Sequence, residues 1–522
     1  MCQVPGAYRG CYGGDGLQFP GMVANPRQVD EGSEMISTKT VRKLLPIFFA
    51  LLLTVSLVYL FRSWSYDDPY ITYRYAQNLI AGKGFVYNAG EKILSTTSPL
   101  LGLFLALVGF VWPNLPQAAE ILGCISLGAS GYLIYSLCRS WDLPYAACVG
   151  LFLLPIFPLA TDTISSETPL YIAFGLAALL SYTKKKYLLT ALFCSAIIFT
   201  RPDGILLPIV LALHYLVFVR GSIPWKAVTL FCVLNLIWWG GIWIYFGSPL
   251  PITLFAKQQQ GVMTISQKFA PGFLTILDSY RQRWYFVVEA ILALIGLAFL
   301  LQKKNVGLLL VAWTALYFVA YTVLGVTRYF WYYAPLVPGF IFLVGSGLQT
   351  IIDKARPLVK PLPSKGSASL QALLIIVLMI PHFIDLTKAP SRVDRRVKIY
   401  KEVGRWLDKN TPTESSVGAL EVGIIGYYSK RTIIDFAGLL QPEVAEQMRS
   451  NSSYQDTATW AVSHYKPDYV VLQTGGFPDL ENMLMRQCTQ EASFKASQYD
   501  APSDLIIFHC TKPASAWKKP IF

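Results

Sequence analysis

The sequence predicts a polytopic α-helical membrane protein with a C-terminal α/β domain outside the membrane. Three observations predict it. Of 522 residues, 54% are hydrophobic and only 14% charged, whereas an average soluble domain carries about 25% charged residues. A compact globule of this size could not cover its surface with so few charges. Aromatic residues make up 14%, including 13 Trp and 30 Tyr, a supply that suits two membrane–water interfaces. Apolar runs recur down the chain to about residue 387, and the composition then changes. Together these exclude a disordered chain, a small disulfide scaffold, a coiled coil and an ordinary soluble enzyme. The net charge of +13 is explained by positive cytoplasmic loops, without a nucleic-acid partner.

Residues 1–34 are Gly-rich and lack an apolar run, so they are no signal peptide. At Met35 a basic flank begins and leads into a long apolar run. Two readings stand side by side: a start at Met35, or a disordered tail over 1–34 within a cytoplasmic segment 1–42. A crossing helix needs about 20 mostly apolar residues. Candidate spans lie at 43–62, 119–138, 145–161, 168–182, 187–200, 204–219, 225–247, 286–301, 306–325, 332–350 and 370–387. That is about eleven transmembrane helices in a module covering 43–387.

A further run, 98–112, has only about 15 apolar residues, short for a span. Charge decides its reading. If it does not cross, Lys39, Arg42, Lys43, Arg139, Lys184, Lys185, Lys186, Arg220, Lys226, Lys303, Lys304 and the basic 353–365 loop share one side. If it crosses, they split. The positive-inside rule favours the first, so 98–112 is an interfacial or re-entrant helix on the outer side. The N-terminus is then cytoplasmic. The outer segments are 63–97, 162–167, 201–203, 248–285, 326–331 and 388–522, and nearly all the unusual charges lie in them.

Residues 388–522 read as a small extracytoplasmic α/β domain. An amphipathic helix is predicted over 393–409, with strands at 416–420, 432–438, 468–474 and 504–510. Helical patterns between them predict a partly parallel sheet. Of nine Cys, only Cys488 and Cys510 share a polar segment, which makes them a disulfide candidate outside the cytoplasm, with free thiols as the alternative. No zinc-ligand spacing occurs.

Five outer sites carry the chemistry. Asp67 and Asp68 precede Pro69; the plain reading is a helix cap running to about Leu79, and the functional reading is a general base or a cation site. Glu167 sits at a helix mouth, Arg201 and Asp203 at a junction broken by Pro202 and Gly204, Lys257 in a long loop, and Arg328 beside an aromatic belt. Each alone has a structural explanation, such as capping or snorkelling. Five from separate segments on one face predict a shared polar cavity. Carboxylates plus cations beside a bilayer suit a lipid phosphate. Transfer from a phosphate leaving group needs one base for the acceptor hydroxyl and positive charge for the departing phosphate.

The motifs DDPYITYRYAQNLIAGKGFVYN, TTSPL, SSETPLY, TRPDG, PITLFAK and RYFWYYAPLVP, in that order, resemble those of bacterial C-type (GT-C) integral membrane glycosyltransferases. That superfamily includes protein O-mannosyltransferases, the lipid A aminoarabinose transferase and mycobacterial arabinofuranosyltransferases. EVGIIGYYSKRTIIDFAGLLQPE (421–443) also looks like the end domain of such proteins. The resemblance implies a sugar donor on polyprenyl phosphate and a site at the outer face of the plasma (inner) membrane. The acceptor is a glycan, lipid or protein hydroxyl. It implies Asp67 as base, Asp68 orienting the acceptor or a metal, Lys257 and Arg328 on the lipid phosphate, and Glu167 and Arg201 ordering the cavity or binding sugar. Metal dependence stays open, since some family members use a divalent ion and others do not; Asp67 and Asp68 are its candidate ligands. The chain departs from the family pattern at LSTT (94–97), where relatives often have a Gly-aromatic step. Two other classes compete: a transporter or flippase, disfavoured by the lack of an internal repeat and the few charges inside spans, and a noncatalytic glycan-binding or assembly protein.

Overall fold

The computed structural model describes residues 26–355 and 364–510. Expectations for residues 1–25, for 356–363 of the basic loop and for 511–522 lie outside the described residues. The chain divides into two units, 1–47 and 48–522. The first holds the start of α1 (Pro26–Leu60), whose helical backbone begins inside the stretch read as irregular.

The helices that follow in the second unit are α2 (Pro69–Ile80), α3 (Pro99–Gly109), α4 (Leu115–Ser140), α5 (Pro144–Ile156), α6 (Pro158–Thr161), α7 (Thr168–Thr183) and α8 (Tyr187–Thr200). After a 3-10 turn at Pro202–Ile205 come α9 (Leu206–His214), α10 (Trp225–Phe246), α11 (Ile252–Val262), α12 (Phe269–Arg281), α13 (Trp284–Lys303), α14 (Leu308–Leu324), α15 (Val337–Ala355) and α16 (Ser364–Thr387). Among the described residues, six helical stretches are long and apolar enough to cross a membrane, and further apolar helices have 10–17 residues. Helix lies over each of the eleven predicted runs.

Residue choice explains the breaks. Proline opens α2, α3, α5 and α6, where its missing N–H costs nothing. The 11-residue α3 reaches only about 16 Å at 1.5 Å per residue, half a hydrocarbon core. It packs on α2 and α4 as an interfacial helix would. Inside the bundle α13 packs most extensively on α15, and α4 packs closely on both α5 and α7. A Cβ on Gly347 of α15 would run into the Leu292 carbonyl of α13, so glycine sets the spacing there. Outward, Leu236, Ile244 and Val323 are left uncovered by protein, as lipid-facing positions are. The 248–261 segment, expected as a loop, is a helix, α11, because its apolar residues Ile252, Phe255 and Ala256 recur at helical spacing.

The C-terminal part comprises α17 (Arg396–Asn410), β1 (Ser416–Ala419), α18 (Gly423–Ser429), β2 (Thr432–Asp435), α19 (Pro442–Glu446), α20 (Tyr454–Tyr465), β3 (Tyr469–Gln473), α21 (Pro478–Gln487), β4 (Thr489–Phe494), α22 (Ala496–Tyr499) and β5 (Leu505–His509). The sheet order is β2-β1-β3-β5-β4. β1 pairs in parallel with β2 and β3, while β5 pairs antiparallel with β3 and β4. β4 is the strand the pattern did not announce; TQEASF is polar because this edge strand is largely exposed. Side chains alternate across the sheet. Val417, Ile433, Val471 and Ile507 pack with Tyr70, Tyr73 and Tyr87 of the 63–97 segment. Ile434, Val470, Leu472 and Phe508 pack with α20 and α21 on the other face. Cys488 and Cys510 are bridged.

Candidate active site

Between the bundle and the C-terminal part lies a cavity of about 320 Å³. Asp68, Glu167, Arg201, Asp203 and Lys257 all line it, from the starts of α2 and α7, the α8–α9 junction and α11. One wall carries the hydroxyls Thr72, Ser95, Thr96, Thr97 and Thr253; aromatic cover comes from Tyr66, Tyr321, Trp331 and Tyr332. The partly exposed Ile205, Leu250 and Leu324 form an apolar margin. The lining therefore combines charged and hydroxyl groups with apolar side chains.

Asp68 and Glu167 both occupy helix N-cap positions, yet neither side chain caps. The plain structural reading of each therefore does not hold. Asp68 Oδ2 lies 3.6 Å from Lys257 Nζ. Glu167 Oε1 lies 3.8 Å from Arg201 Nη1, and Ser166 Oγ accepts the Thr168 amide in its place. Lys257 is buried and sits 3.7 Å from the Tyr329 ring centroid. Burial alone would lower its ammonium; Asp68 and neighbouring tyrosines outweigh that and hold it above the ordinary lysine value. Arg201 is buried and forks onto Asp203 (Nη2–Oδ2 2.7 Å, Nε–Oδ1 3.3 Å). Its Nη2 also reaches the hydroxyls of Tyr321 (2.6 Å) and Tyr317 (3.2 Å), and its plane lies over Tyr171. Arg201 Nη1 makes no hydrogen bond, nor do the buried hydroxyls of Ser95 and Thr253. They are buried polar atoms left without a hydrogen-bond partner in residues that line the cavity.

Two expected members sit elsewhere. Asp67 does not line the cavity. Its two oxygens accept the amides of Gly423 and Ile424, each at 2.8 Å. Burial pushes its carboxyl well up, Glu421 adds to that, and the two amides only partly offset it. Arg328 is outside as well: Nη1 donates to Gln267 Oε1 at 2.7 Å, on an exposed strip beside α12. Its neighbours Tyr329, Trp331 and Tyr332 turn toward Lys257 or the cavity instead, so Arg201 and Lys257 are the cations of the site. Among the described residues no three His, Cys, Asp or Glu side chains converge as a ligand set. With Asp67 taken by amides and Asp68 facing an ammonium, the acidic pair does not fit a divalent ion.

The C-terminal part adds groups that sequence reasoning did not single out. Leu439 lines the cavity. Glu421 pairs with Arg396 at 2.7 Å; burial raises its carboxyl and Arg396 opposes the rise. Asp435 is buried and accepts the amides of Ala437 (2.7 Å), Leu439 and Leu440 (3.1 Å). Burial brings it up to about 7 against those amides and Lys257. Glu421 follows the predicted strand 416–420 and Asp435 ends the observed β2, and the carboxyl ends of parallel strands are where α/β sheets gather function. That was the available signal.

A family described as "Domain of unknown function (DUF8728)" matches residues 391–516. Among curated proteins nothing matches. Two solved structures are similar over most of the chain. ArnT from Cupriavidus metallidurans in the apo state matches with a TM-score of 0.58 and 15% identity, covering 92% of this chain and 100% of that one. ArnT from the same organism bound to undecaprenyl phosphate matches with a TM-score of 0.56 and 15% identity, covering 90% and 98%. At that identity it is the fold that is shared, and this chain has the ArnT fold from its membrane helices through its terminal sheet.

Proposed function

We propose that the protein is a membrane glycosyltransferase that moves a sugar from a polyprenyl-phosphate donor to an acceptor hydroxyl at the outer face of the plasma membrane. The observation that carries this reading is the convergence of Asp68, Glu167, Arg201, Asp203 and Lys257 on one cavity with an apolar margin. Such a cavity suits a molecule with a phosphate at one end and hydrocarbon at the other. The undecaprenyl phosphate bound to ArnT, on the same fold, supports that substrate class. The Cys488–Cys510 bridge supports a C-terminal part on the oxidising side, with the N-terminus in the cytoplasm.

Asp68, not Asp67, is the base in this reading, because it is the carboxylate that faces the cavity. Its carboxylate takes the proton of the acceptor hydroxyl. The acceptor oxygen bonds to the anomeric carbon, and the bond from that carbon to the phosphate oxygen breaks. Polyprenyl phosphate leaves with the electron pair, and Lys257 and Arg201 stabilise its charge. Glu167 and Asp203 orient Arg201.

The test uses the full chain in lipid nanodiscs with polyprenyl-phosphate-linked mannose, glucose and arabinose. Sugar release or transfer should be seen with at least one donor and should drop about 10²–10⁴-fold in Asp68→Asn. No cleavage of any donor by the wild type, or equal cleavage by the variant, sinks the reading.

A further inference from the structure

The two adjacent carboxylates of the first outer loop face opposite ways. Asp68 meets Lys257 at the cavity, while Asp67 meets the amides of Gly423 and Ile424 at the start of α18. Their Cα atoms are only about 3.8 Å apart along the chain, so a shift in one is felt by the other. The same junction is bound at further points. Tyr87 Oη donates to the Val422 carbonyl at 2.5 Å. Asn88 exchanges two hydrogen bonds with the Ile433 backbone, both 2.9 Å, as a neighbouring strand would. Gln260, three residues on from Lys257 in α11, donates to the Ala437 carbonyl at 2.9 Å. The approach is close. A Cβ on Gly423 would run into the Asp67 carbonyl, and one on Gly426 into the Tyr87 hydroxyl. Segment 421–437 thus grips the outer loop beside Asp68 and α11 beside Lys257.

We propose that Asp67 is a positioning residue: it seats α18 on the first outer loop and through that contact holds Asp68 opposite Lys257. The C-terminal part is then a structural half of the site and not an appended binding module. The activity readout of this inference rests on the transferase reading; the seating itself does not.

Asparagine and alanine separate the roles. Asn keeps one acceptor oxygen for the α18 amides and cannot be a base, whereas Ala removes the contact. Hydrogen exchange is measured on the full chain in nanodiscs, comparing 421–433 with β3. Asp67→Ala should speed exchange in 421–433 about tenfold, with β3 unchanged and Asp67→Asn between. With a cleavable polyprenyl-phosphate sugar, kcat should fall about tenfold in Asp67→Asn and about a hundredfold in Asp67→Ala. If both Asp67 variants abolish turnover equally with exchange unchanged, Asp67 is itself the base and the proposal is overturned. Faster exchange with unchanged kcat and KM also overturns it. If Asp68→Asn turns over normally, the base assignment falls, while the exchange result still decides the seating. Tyr87→Phe, which removes a single hydrogen bond, carries the same comparison with a several-fold effect if Asp67→Ala does not assemble.

Discussion

Lys257 lies 3.6 Å from Asp68 and 3.7 Å from the centroid of the Tyr329 ring. In the proposed transferase reading, this buried ammonium, held by one carboxylate and an aromatic face, is the group that meets the donor phosphate. Lys257→Met keeps the stem and removes the charge. It should weaken undecaprenyl phosphate binding and cut kcat/KM by about a hundredfold or more. Titration with undecaprenyl phosphate checks the first, and the transfer assay the second. Unchanged affinity would take Lys257 off the phosphate.

Arg201 is a second, differently built cation. It forks onto Asp203, shares Tyr321 and Tyr317, and leaves Nη1 without a hydrogen bond. Lysine keeps the charge but cannot satisfy that geometry. Arg201→Lys should therefore behave much like a loss variant, with activity down about tenfold or more and reduced thermal stability. Tyr321→Phe should be milder, since Asp203 still holds the guanidinium. Full activity in Arg201→Lys would mean that only its charge matters.

The membrane module was legible in the sequence because lipid imposes long apolar runs, and those runs dominate local composition. The short α3 was legible from its brief apolar run, too short for a comfortable span. The cavity residues could be named because charges are rare near a bilayer. Which carboxylate of the Asp67–Asp68 pair faces the cavity was not legible. That depends on Gly423 and Ile424, more than 350 residues away. Arg328 misled for a related reason: its aromatic neighbours do reach the cavity, but the backbone turns between Arg328 and Tyr332. β4 escaped because an exposed edge strand needs no apolar face. The Glu289–His382 pair escaped because its members lie on separate helices, α13 and α16.

Asp435 gives the C-terminal part a pH signature. Its carboxyl is raised from 3.8 to about 7 by burial. Between those values the folded chain holds a proton that the unfolded chain releases. Stability from this group is therefore fully present below about pH 4 and lost as pH rises through about 7, at up to about 1.4 kcal/mol per pH unit. Asp435→Asn should flatten the dependence of thermal stability on pH over 4–7. A slope identical to wild type would place the proton elsewhere.

Glu289 and His382 are both fully buried, and Nε2 of His382 lies 2.5 Å from Glu289 Oε1. The imidazole is walled by Phe157, Tyr285 and Phe286. Its other nitrogen and the other carboxylate oxygen have no hydrogen-bond partner. Such a pair fixes how α16 lies against α13, and α16 leads directly into the C-terminal part. Removing one partner strands the other in an apolar setting. Glu289→Met or His382→Leu alone should therefore each cost about 3–5 kcal/mol. Replacing both with apolar residues of similar volume, Glu289→Met with His382→Leu, should recover most of that loss, since no buried polar group is left unpaired. Thermal inactivation in detergent of the four proteins closes the cycle. Additive losses in the double variant would show that the two side chains act independently and that packing alone sets the seating of α16.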